Sequence, residues 1–343
     1  MKALVVQEPG RLVLREIHVP VPSPHEALVR IRACGICSTT DRELIAGRQP
    51  YHKAYPALLG HEAVGEVVET GPKVRHFHMV ELVTRPCAIW PGTSRDGLAS
   101  AWGGFAEFGI VRDRLAMEED GDTSMAYDYT ALRQNVLPHG LSVQQGIAAI
   151  ALAETMSWLH HMPPVGGKVV CVAGTGIAGL GIALWCKLAG ARQVIVLGRR
   201  DERLAVARRL CADEIINVTS QDTRSVVVQL TNGHGVDFYA EAVGQRDQVN
   251  IGLRILAKGG TIGIYGAAED QRYDLGWGNS GGHASVQLAP AEEHLCYGTV
   301  ADLLRRGIVR AEDFLTHQWP LTEFADAFAA VDSGKVLKGL LTM

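Results

Sequence analysis

Alternating hydrophobic and polar positions in the first third of the chain predict short β-strands. Residues 2–7 and 11–16 have the pattern of a hairpin, and residues 26–33 alternate as a half-buried strand does. A further strand is predicted over residues 63–69, where a glycine–proline pair ends it. Short strands separated by turns favour a small, barrel-like β domain.

The pattern changes after the proline- and glycine-rich segment 163–167, which has the composition of a hinge. Apolar strands then alternate with helical patterns, an order that favours a parallel, doubly wound sheet. The predicted strands are residues 168–173, 193–197, 214–217, 237–243 and 260–265, with helices at 177–189 and 201–210. We therefore expect an α/β fold in which a β-barrel-like domain accompanies a doubly wound parallel sheet.

A long apolar helix is predicted over residues 142–161, and Glu154 interrupts its apolar run. A buried carboxylate without a partner is costly, so Glu154 needs a salt bridge, contact with water or a metal ion. Earlier, the stretch 117–133 predicts a surface loop with a short helix, either a pocket lip or a tolerated insertion. Towards the end, helices are expected at residues 303–307 and 321–333 and a closing strand at 336–343.

Composition and charge argue against several classes of protein. A chain of 343 residues, 47% of them hydrophobic, is long enough for two domains. Its net charge of −4 gives no electrostatic reason to expect nucleic acid or an anionic membrane as a partner, and no apolar run has the length of a membrane span. The seven scattered cysteines do not form a disulfide pattern. The apolar stretch at the start of the chain is too short, and is interrupted too early, for a signal peptide. We expect a cytoplasmic protein.

The stretch from residue 34 to residue 62 contains the side chains that a zinc site needs. Cys37 follows a glycine-containing turn, and His61 and Glu62 directly follow another glycine. A thiolate, an imidazole and a carboxylate are suitable zinc ligands, and Thr39 adds a hydroxyl beside them. We interpret these residues as the core of a catalytic zinc site.

A glycine-rich loop predicts a dinucleotide-binding site. The segment Gly174-Thr175-Gly176-Ile177-Ala178-Gly179 is a G-x-G-x-x-G motif that follows an apolar strand and begins a helix. In this context, Gly174 allows a tight turn, Gly176 allows close approach of a diphosphate, and Gly179 allows close packing of helix on strand. The alternative is a simple packing turn.

The next strand ends in residues that favour NADP. A site specific for NAD carries an acidic residue about twenty positions after the glycine loop, but this chain has Gly198 there. Arg199 and Arg200 follow, and their guanidinium groups can pair with a 2′-phosphate. Asp201 keeps NAD open as the alternative.

With these motifs placed, the chain resembles the zinc-dependent medium-chain dehydrogenase/reductase family, which includes alcohol, sorbitol, glucose and threonine dehydrogenases. The resemblance spans nearly the whole chain. Its marks are Cys34-Gly35-Ile36-Cys37, the segment 60–68, Gly103-Gly104-Phe105-Ala106-Glu107-Phe108, the glycine loop and residues 334–338.

The resemblance implies how the domains are arranged. Residues 1–155 and 297–343 would form a GroES-like β-barrel catalytic domain, and residues 156–296 a Rossmann dinucleotide-binding domain. We also assign Val243 and Gly244, at the end of the fourth predicted strand of the parallel sheet, to the cofactor site. The family further suggests a homo-oligomer, either a dimer or a tetramer.

The resemblance also implies a set of zinc ligands. Cys37 and His61 take ligand positions of the family, and Glu62 takes the position of a neighbouring carboxylate that can exchange onto the metal. Glu154 aligns with the next ligand, which is glutamate in the sorbitol and glucose dehydrogenase branch. This glutamate indicates a polyol, sugar or cyclitol as the substrate. Cys34 is expected to be buried and not a ligand.

Three departures from the family pattern change these expectations. Between residues 84 and 104 only Cys87 stands where the family has four closely spaced cysteines, so we expect one catalytic zinc and no structural zinc. Thr40 replaces an aspartate that would orient the zinc histidine, which leaves the support of His61 in doubt. Arg42 replaces a histidine of the proton relay, and an arginine cannot accept a proton.

The expected function is a zinc-dependent oxidoreductase that moves a hydride between a secondary alcohol and NAD(P), giving a ketone. Zinc would act as a Lewis acid, and Thr39 would be the first hydrogen-bond partner of the reacting oxygen. The alternatives are a zinc-free NADPH-dependent reductase of the same superfamily and a non-enzymatic nucleotide-binding redox sensor. The catalytic residues are then Cys37, Thr39, His61 and Glu62, and the candidate pocket residues are the stretch 117–133, Trp277, His283 and His294.

Overall fold

The computed structural model describes residues 1–50, 52–266, 276 and 284–343. The chain forms two compact units: the first comprises Met1–Ile150 with Tyr297–Met343, and the second comprises Ala151–Cys296. The candidate pocket residues Trp277 and His283 lie outside the described residues. Across the described ranges, every helix is too short or too polar to cross a membrane.

The first unit contains two β-sheets and short helices. Its first strands are β1 (Lys2–Glu8), β2 (Arg11–Glu16), β3 (Glu26–Gly35), β4 (Ala57–Leu58), β5 (Glu62–Thr70), β6 (Leu82–Thr84), β7 (Ser94–Arg95), β8 (Leu98–Ser100) and β9 (Phe108–Arg112). The helices are α1 (Thr40–Ile45), α2 (Arg114–Glu119) and α3 (Val143–His160), which continues into the second unit.

The second unit follows α3 and alternates strand with helix. Its elements are β10 (Val169–Ala173), α4 (Ile177–Leu188), β11 (Gln193–Gly198), α5 (Asp201–Leu210), β12 (Glu214–Asn217), α6 (Thr223–Leu230), β13 (Val236–Glu241), α7 (Gln248–Ile255), β14 (Leu256–Ile264) and β15 (Ser285–Leu288). The chain then returns to the first unit through α8 (Tyr297–Arg305), β16 (His317–Pro320), α9 (Phe324–Asp332) and β17 (Gly339–Thr342).

The predicted hairpin and the predicted parallel sheet are both confirmed. β1 and β2 pair antiparallel with Lys2 opposite Glu16. In the second unit, six parallel strands have the order β12-β11-β10-β13-β14-β15, the order of a dinucleotide-binding sheet. The central strand β10 reads Val-Val-Cys-Val-Ala and is buried throughout, as a parallel strand covered on both faces requires.

The two sheets of the first unit combine distant parts of the chain. One sheet has the order β2-β1-β4-β8-β7, and the other has the order β16-β17-β3-β5-β6 with β9 also paired to β3. The predicted closing strand begins later than expected, at Gly339. Just before it, the carbonyl of Lys338 accepts a hydrogen bond from the amide of Thr316, and the amide of Leu337 donates to the Thr316 hydroxyl.

Two segments of the first unit are more ordered than their sequence predicts. Residues 84–104, for which the sequence predicts no strand, contain the β7–β8 hairpin, whose Leu98 packs in an apolar cluster with Ala88 and Ile89. The end of the expected surface loop 117–133 is buried, with the Arg133 guanidinium 3.2 Å from the ring centre of Tyr129. Apolar packing and cation–π contacts of this kind leave no periodic signal in the sequence.

Candidate functional site

Neighbouring strands bring three of the four predicted metal ligands together, namely Cys37, His61 and Glu62. β5 runs antiparallel to β3 with Glu62 opposite Gly35, and β17 pairs with the other edge of β3 with Leu340 opposite Gly35. Cys37 follows the end of β3 and His61 precedes the start of β5, so both lie at the same end of the ladder. A side chain at Gly35 would displace the carboxylate of Glu62, because a Cβ atom there would lie 2.6 Å from Oε2 of Glu62.

Cys37, His61 and Glu62 form a compact group of metal-binding side chains. The thiol sulfur, an imidazole nitrogen and a carboxylate oxygen all lie within 4.8 Å of one another, and no other group of three or more among the described residues meets this condition. Zinc binds such ligands at about 2.0–2.3 Å, so small side-chain adjustments suffice for all three to reach one ion. The donor set, one sulfur, one nitrogen and one oxygen, fits zinc.

Asp41 supports the ring of His61, so the histidine keeps a carboxylate partner although Thr40 stands at the position of the family's aspartate. The carboxylate of Asp41 is fully buried in the first turn of α1. Its Oδ1 atom lies 3.4 Å from Nδ1 of His61, and its Oδ2 atom accepts a hydrogen bond of 2.8 Å from the amide of Cys37. The aspartate is present in the sequence but stands one position later than the family pattern, and α1 turns it towards the histidine.

The surroundings favour the thiolate form of Cys37. Burial by itself raises the pKa of Cys37, but a hydrogen bond and the charge of His61 bring this pKa below its ordinary value. Burial lowers the pKa of His61, but hydrogen bonds to Asp41 and Cys37 raise it well above its ordinary value. Because the thiolate is the form that binds metal, Cys37 is prepared for a cation.

Lys338 is a buried partner of the candidate metal group that sequence reasoning missed. Its ammonium contacts Oε2 of Glu62, and both side chains are about 5% exposed or less. Burial raises the pKa of Glu62, but the charges of Lys338 and His61 bring this pKa below its ordinary value. The guanidinium of Arg85, also buried, donates a hydrogen bond to the carbonyl of His61.

We expect Asp41→Ala to lower zinc affinity or turnover by about 10–100-fold, because His61 loses the group that orients its ring. Zinc content after dialysis against a graded chelator series measures the effect. Asp41→Asn keeps an oxygen for the amide of Cys37 and should lie between the wild type and the alanine variant. Asp332→Ala, which removes a surface carboxylate, is the matched control; equal zinc retention in Asp41→Ala and this control would contradict the role of Asp41.

Three other predicted residues lie at or beyond the edges of this group. Thr39 is exposed at the N-terminus of α1, and its hydroxyl makes no capping hydrogen bond. Arg42 pairs with Asp332 at 2.6 Å on the surface, and because a guanidinium has no acceptor atom, a proton relay does not pass through it. Glu154 lies partly buried on α3 within the second unit, and its part as a zinc ligand stays a prediction.

The glycine loop has the local geometry of a nucleotide-binding turn. Gly174, directly after β10, has a φ angle of +116°, and a Cβ atom there would lie 2.9 Å from the carbonyl of Ala242. Gly176 is the N-cap of α4 and has open space on its side-chain position, where a phosphate can approach. A Cβ atom on Gly179 would collide with the carbonyl of Gly174, so Ile177 and Ala178 begin a helix packed tightly on the turn.

The end of β11 carries a group of arginines. Arg199 and Arg200 are exposed directly after Gly198, the last residue of β11. Burial lowers the pKa of Arg203, and the nearby charge of Arg200 lowers it further. The carboxylate of Asp201, by contrast, accepts a hydrogen bond of 2.7 Å from the side chain of Asn217. The end of β11 therefore carries several arginine side chains, and the carboxylate of Asp201 is hydrogen-bonded to Asn217.

Glu241 shapes the turn after β13. Its buried Oε1 atom accepts hydrogen bonds from the amides of Val243 at 2.6 Å and Gly244 at 2.8 Å. These bonds turn the chain, which explains why β13 ends at Glu241 and not at Val243 as predicted. Val243 is left 38% exposed at the carboxyl end of the parallel strands, where ligands bind in open α/β sheets.

A cavity of about 550 Å³ lies within the first unit and shares a wall with the metal group. The shared residue is Trp102, whose ring centre is 5.4 Å from that of His61 and which also lines the cavity. The other lining residues come from α1 and the segments 49–54 and 91–101: Leu44, Gln49, His52, Lys53, Ala54, Pro91, Gly92, Thr93, Ser94, Ala99, Ser100 and Ala101. These lining residues include a tryptophan and several hydroxyl side chains, but they form no recognisable motif in the sequence.

Comparisons with known proteins match both units. A family described as "Alcohol dehydrogenase GroES-like domain" matches residues 23–120, and one described as "Zinc-binding dehydrogenase" matches residues 178–279. The erythritol/L-threitol dehydrogenase of Mycolicibacterium smegmatis is 28% identical and the match covers 98% of this chain and 95% of that protein. The sorbitol dehydrogenase of Halalkalibacterium halodurans is 27% identical, with coverage of 100% and 99%.

A solved structure agrees with these matches. The alcohol dehydrogenase TADH from Thermus sp. ATN1 superposes with a TM-score of 0.83 at 25% identity, covering 100% of this chain and 99% of that one. The predicted fold, a GroES-like domain with a Rossmann-type parallel sheet, is thereby confirmed. With both family matches, the full-length relatives and the compact thiolate–imidazole–carboxylate group in place, the chain belongs to the zinc-type medium-chain dehydrogenase/reductase family.

Proposed function

We propose that this protein is a zinc-dependent oxidoreductase that moves a hydride between a secondary alcohol and a nicotinamide dinucleotide, giving a ketone. The observation that carries the proposal is the group of Cys37, His61 and Glu62, whose donor atoms lie within 4.8 Å of one another. Relatives named for erythritol, threitol and sorbitol support a polyol as the substrate, with sugars and cyclitols as related candidates. The same group counts against a zinc-free reductase or a redox sensor, neither of which needs it.

Each residue of the centre has a distinct task in this mechanism. Cys37 and His61 would hold one zinc ion, whose chemistry is to lower the pKa of an alcohol, and a bound nicotinamide ring would supply the hydride acceptor. Asp41 fixes the ring of His61, and Lys338 keeps Glu62 charged and in place. Thr39, which is exposed and makes no capping hydrogen bond, would be the first hydrogen-bond partner of the reacting oxygen and would pass the proton on to water or to Glu62. In the proposal Glu154 completes the ligand set.

The glycine loop and the arginines after β11 support NADP as the preferred cofactor, with NAD as the alternative. The diphosphate would bind at Gly174–Gly179 and the N-terminus of α4. The nicotinamide end would reach the turn of Val243 and Gly244. The guanidinium groups after Gly198 offer a 2′-phosphate charge-assisted hydrogen bonds.

We expect the double variant Arg199→Ser, Arg200→Ser to raise the KM for NADP by about 10–100-fold, because charge-assisted hydrogen bonds to the 2′-phosphate are lost. The KM for NAD should change less than threefold. Steady-state kinetics with both cofactors and one alcohol measures the ratio. Arg209→Ser, at the far end of α5, is the control; a parallel rise in both KM values would contradict recognition of the 2′-phosphate.

The overall proposal is tested by metal content and turnover together. Protein purified without chelators should contain one zinc per chain, and Glu154→Ala should weaken its retention if Glu154 is a ligand. The metal-loaded protein should oxidise at least one polyol, sugar or cyclitol with NADP or NAD. No zinc uptake on reconstitution would overturn the proposal. The proposal also includes a cytoplasmic homo-oligomer that acts on small molecules, which sedimentation analysis of the purified protein addresses for the assembly.

A further inference from the structure

The cavity beside Trp102 has an unusual balance of charge. Lys53 is the one fully charged side chain among its described lining residues, and neither aspartate nor glutamate lines it. Burial lowers the pKa of His52, so this imidazole is neutral at neutral pH and adds no charge. The absence of acids is notable in a chain with 37 acidic and 33 basic residues. The described part of the wall is therefore positive, and its charge comes from one residue.

Lys53 is available for a ligand. Its side chain is exposed and has no ion-pair partner among the residues that the structure describes. Two other lysines of the first unit are engaged: Lys73 lies 3.3 Å from Asp120, and Lys338 contacts Glu62. A cation at a cavity wall without a neighbouring carboxylate favours an anion in that cavity.

The rest of the wall suits a ligand rich in hydroxyl groups. The hydroxyl of Thr93 donates its proton to the carbonyl of Trp90 at 2.7 Å, so its oxygen remains an acceptor. The neutral ring of His52 and the amide of Gln49 add further polar groups. At about 550 Å³ the cavity has the size of a small-molecule site and exceeds the volume that a short alcohol needs.

Trp102 connects this cavity to the reacting centre. Its ring centre lies 5.4 Å from that of His61, while the same side chain lines the cavity. Because Trp102 and Lys53 line the same cavity, a ligand that fills the cavity can contact Lys53 and also the indole that lies beside His61. We infer that the substrate is an anionic polyol or sugar, whose phosphate or carboxylate end binds Lys53 while a secondary hydroxyl reaches the metal group. This inference rests on the proposed function and specifies its substrate class.

A set of three compounds with the same six-carbon chain tests the inference: sorbitol, sorbitol 6-phosphate and gluconate. With the zinc-loaded protein and NADP, kcat/KM for at least one anionic compound should exceed that for sorbitol by about tenfold, as expected for a hydrogen bond to a charged group. Comparing the two anions tells phosphate from carboxylate. A preference for sorbitol over both anions would overturn the inference while leaving the proposed function intact.

Charge reversal at Lys53 isolates the residue. In Lys53→Glu the ratio of kcat/KM for the preferred anion to that for sorbitol should fall at least tenfold. Lys258→Glu, at an exposed lysine of the second unit, should leave the ratio as in the wild type. An unchanged ratio in Lys53→Glu would contradict the role of Lys53.

Binding measurements keep the two proposals apart if no compound is turned over. In that case calorimetric titration of the wild type and Lys53→Glu with the same three compounds decides the inference, while the proposed function is decided separately by zinc uptake and the wider screen of polyols, sugars and cyclitols with NADP and NAD. Binding of an anion that charge reversal weakens at least tenfold supports an anion site at Lys53. No detectable anion binding to the wild type overturns it.

Discussion

Replacing Cys37 with alanine is expected to remove the bound zinc and to reduce turnover on the order of 10³-fold or more. The thiolate is the one soft ligand of the group. Burial raises the pKa of Cys37, but the hydrogen bond and the charge of His61 bring this pKa below its ordinary value. Without the sulfur, the compact group keeps only His61 and Glu62, and even with Glu154 the site has lost its soft donor, so zinc is held far more weakly. Metal analysis and steady-state kinetics on the same preparation measure the loss.

Cys34 provides the matched control for this experiment. It lies three positions earlier on β3, is fully buried, and burial raises its pKa well above the ordinary value, so it remains a thiol. Cys34→Ala should therefore retain one zinc per chain and turn over within about threefold of the wild type, since a small cavity affects stability more than chemistry. Loss of zinc in Cys34→Ala together with its retention in Cys37→Ala would show that Cys34, and not Cys37, is the zinc ligand.

Replacing Lys338 with methionine is expected to destabilise the metal-free protein by about 3–5 kcal/mol, because it leaves the buried carboxylate of Glu62 without its cation. Both side chains are almost fully buried, so water cannot replace the lost partner. Urea unfolding of the first unit, measured on protein stripped of metal, gives the difference. An unfolding midpoint equal to that of the wild type would contradict a stabilising ion pair.

The double variant Lys338→Met, Glu62→Gln separates the pair from its parts. Replacing both partners removes the uncompensated charge, so most of the lost stability should return.

The destabilisation caused by Lys338→Met should also depend on pH. The pKa of Glu62 is lowered in the folded protein, so its contribution is present above the ordinary carboxyl pKa and is lost as the pH falls through the lowered value. The difference between the wild type and Lys338→Met should therefore shrink in acid.

Local patterns in the sequence predict much of the second unit. In the glycine loop, a tight turn, close approach of a phosphate and close packing explain why each glycine is needed. The strands alternate with helices over short distances, so each element can be predicted from its own short stretch of sequence. The end of β13 was misplaced because side-chain bonds from Glu241 to two amides stop the strand, and hydrophobic periodicity does not report such bonds.

The candidate site of the first unit is harder to predict because it depends on pairing between distant strands. Cys37, His61 and Glu62 can be proposed from ligand chemistry, but Lys338 reaches them only through the pairing of β17 with β3. Asp41 was missed for a different reason. It follows Thr40, which stands at the position of the family's aspartate, and the first turn of α1 brings the Asp41 carboxylate to His61. Both errors concern where side chains meet in space, which spacing along the chain does not determine.

The return of the chain from the second unit to the first sets an order for assembly on the ribosome. The ladder of β3 and β5 forms from residues made early, but β17 is synthesised only after the whole second unit. Until then the nascent first unit contains all three metal-binding side chains and lacks the ammonium that neutralises Glu62. Synthesis of Lys338, directly before β17, is therefore the step that completes the charge balance of the centre, and it comes only after the whole second unit has been made.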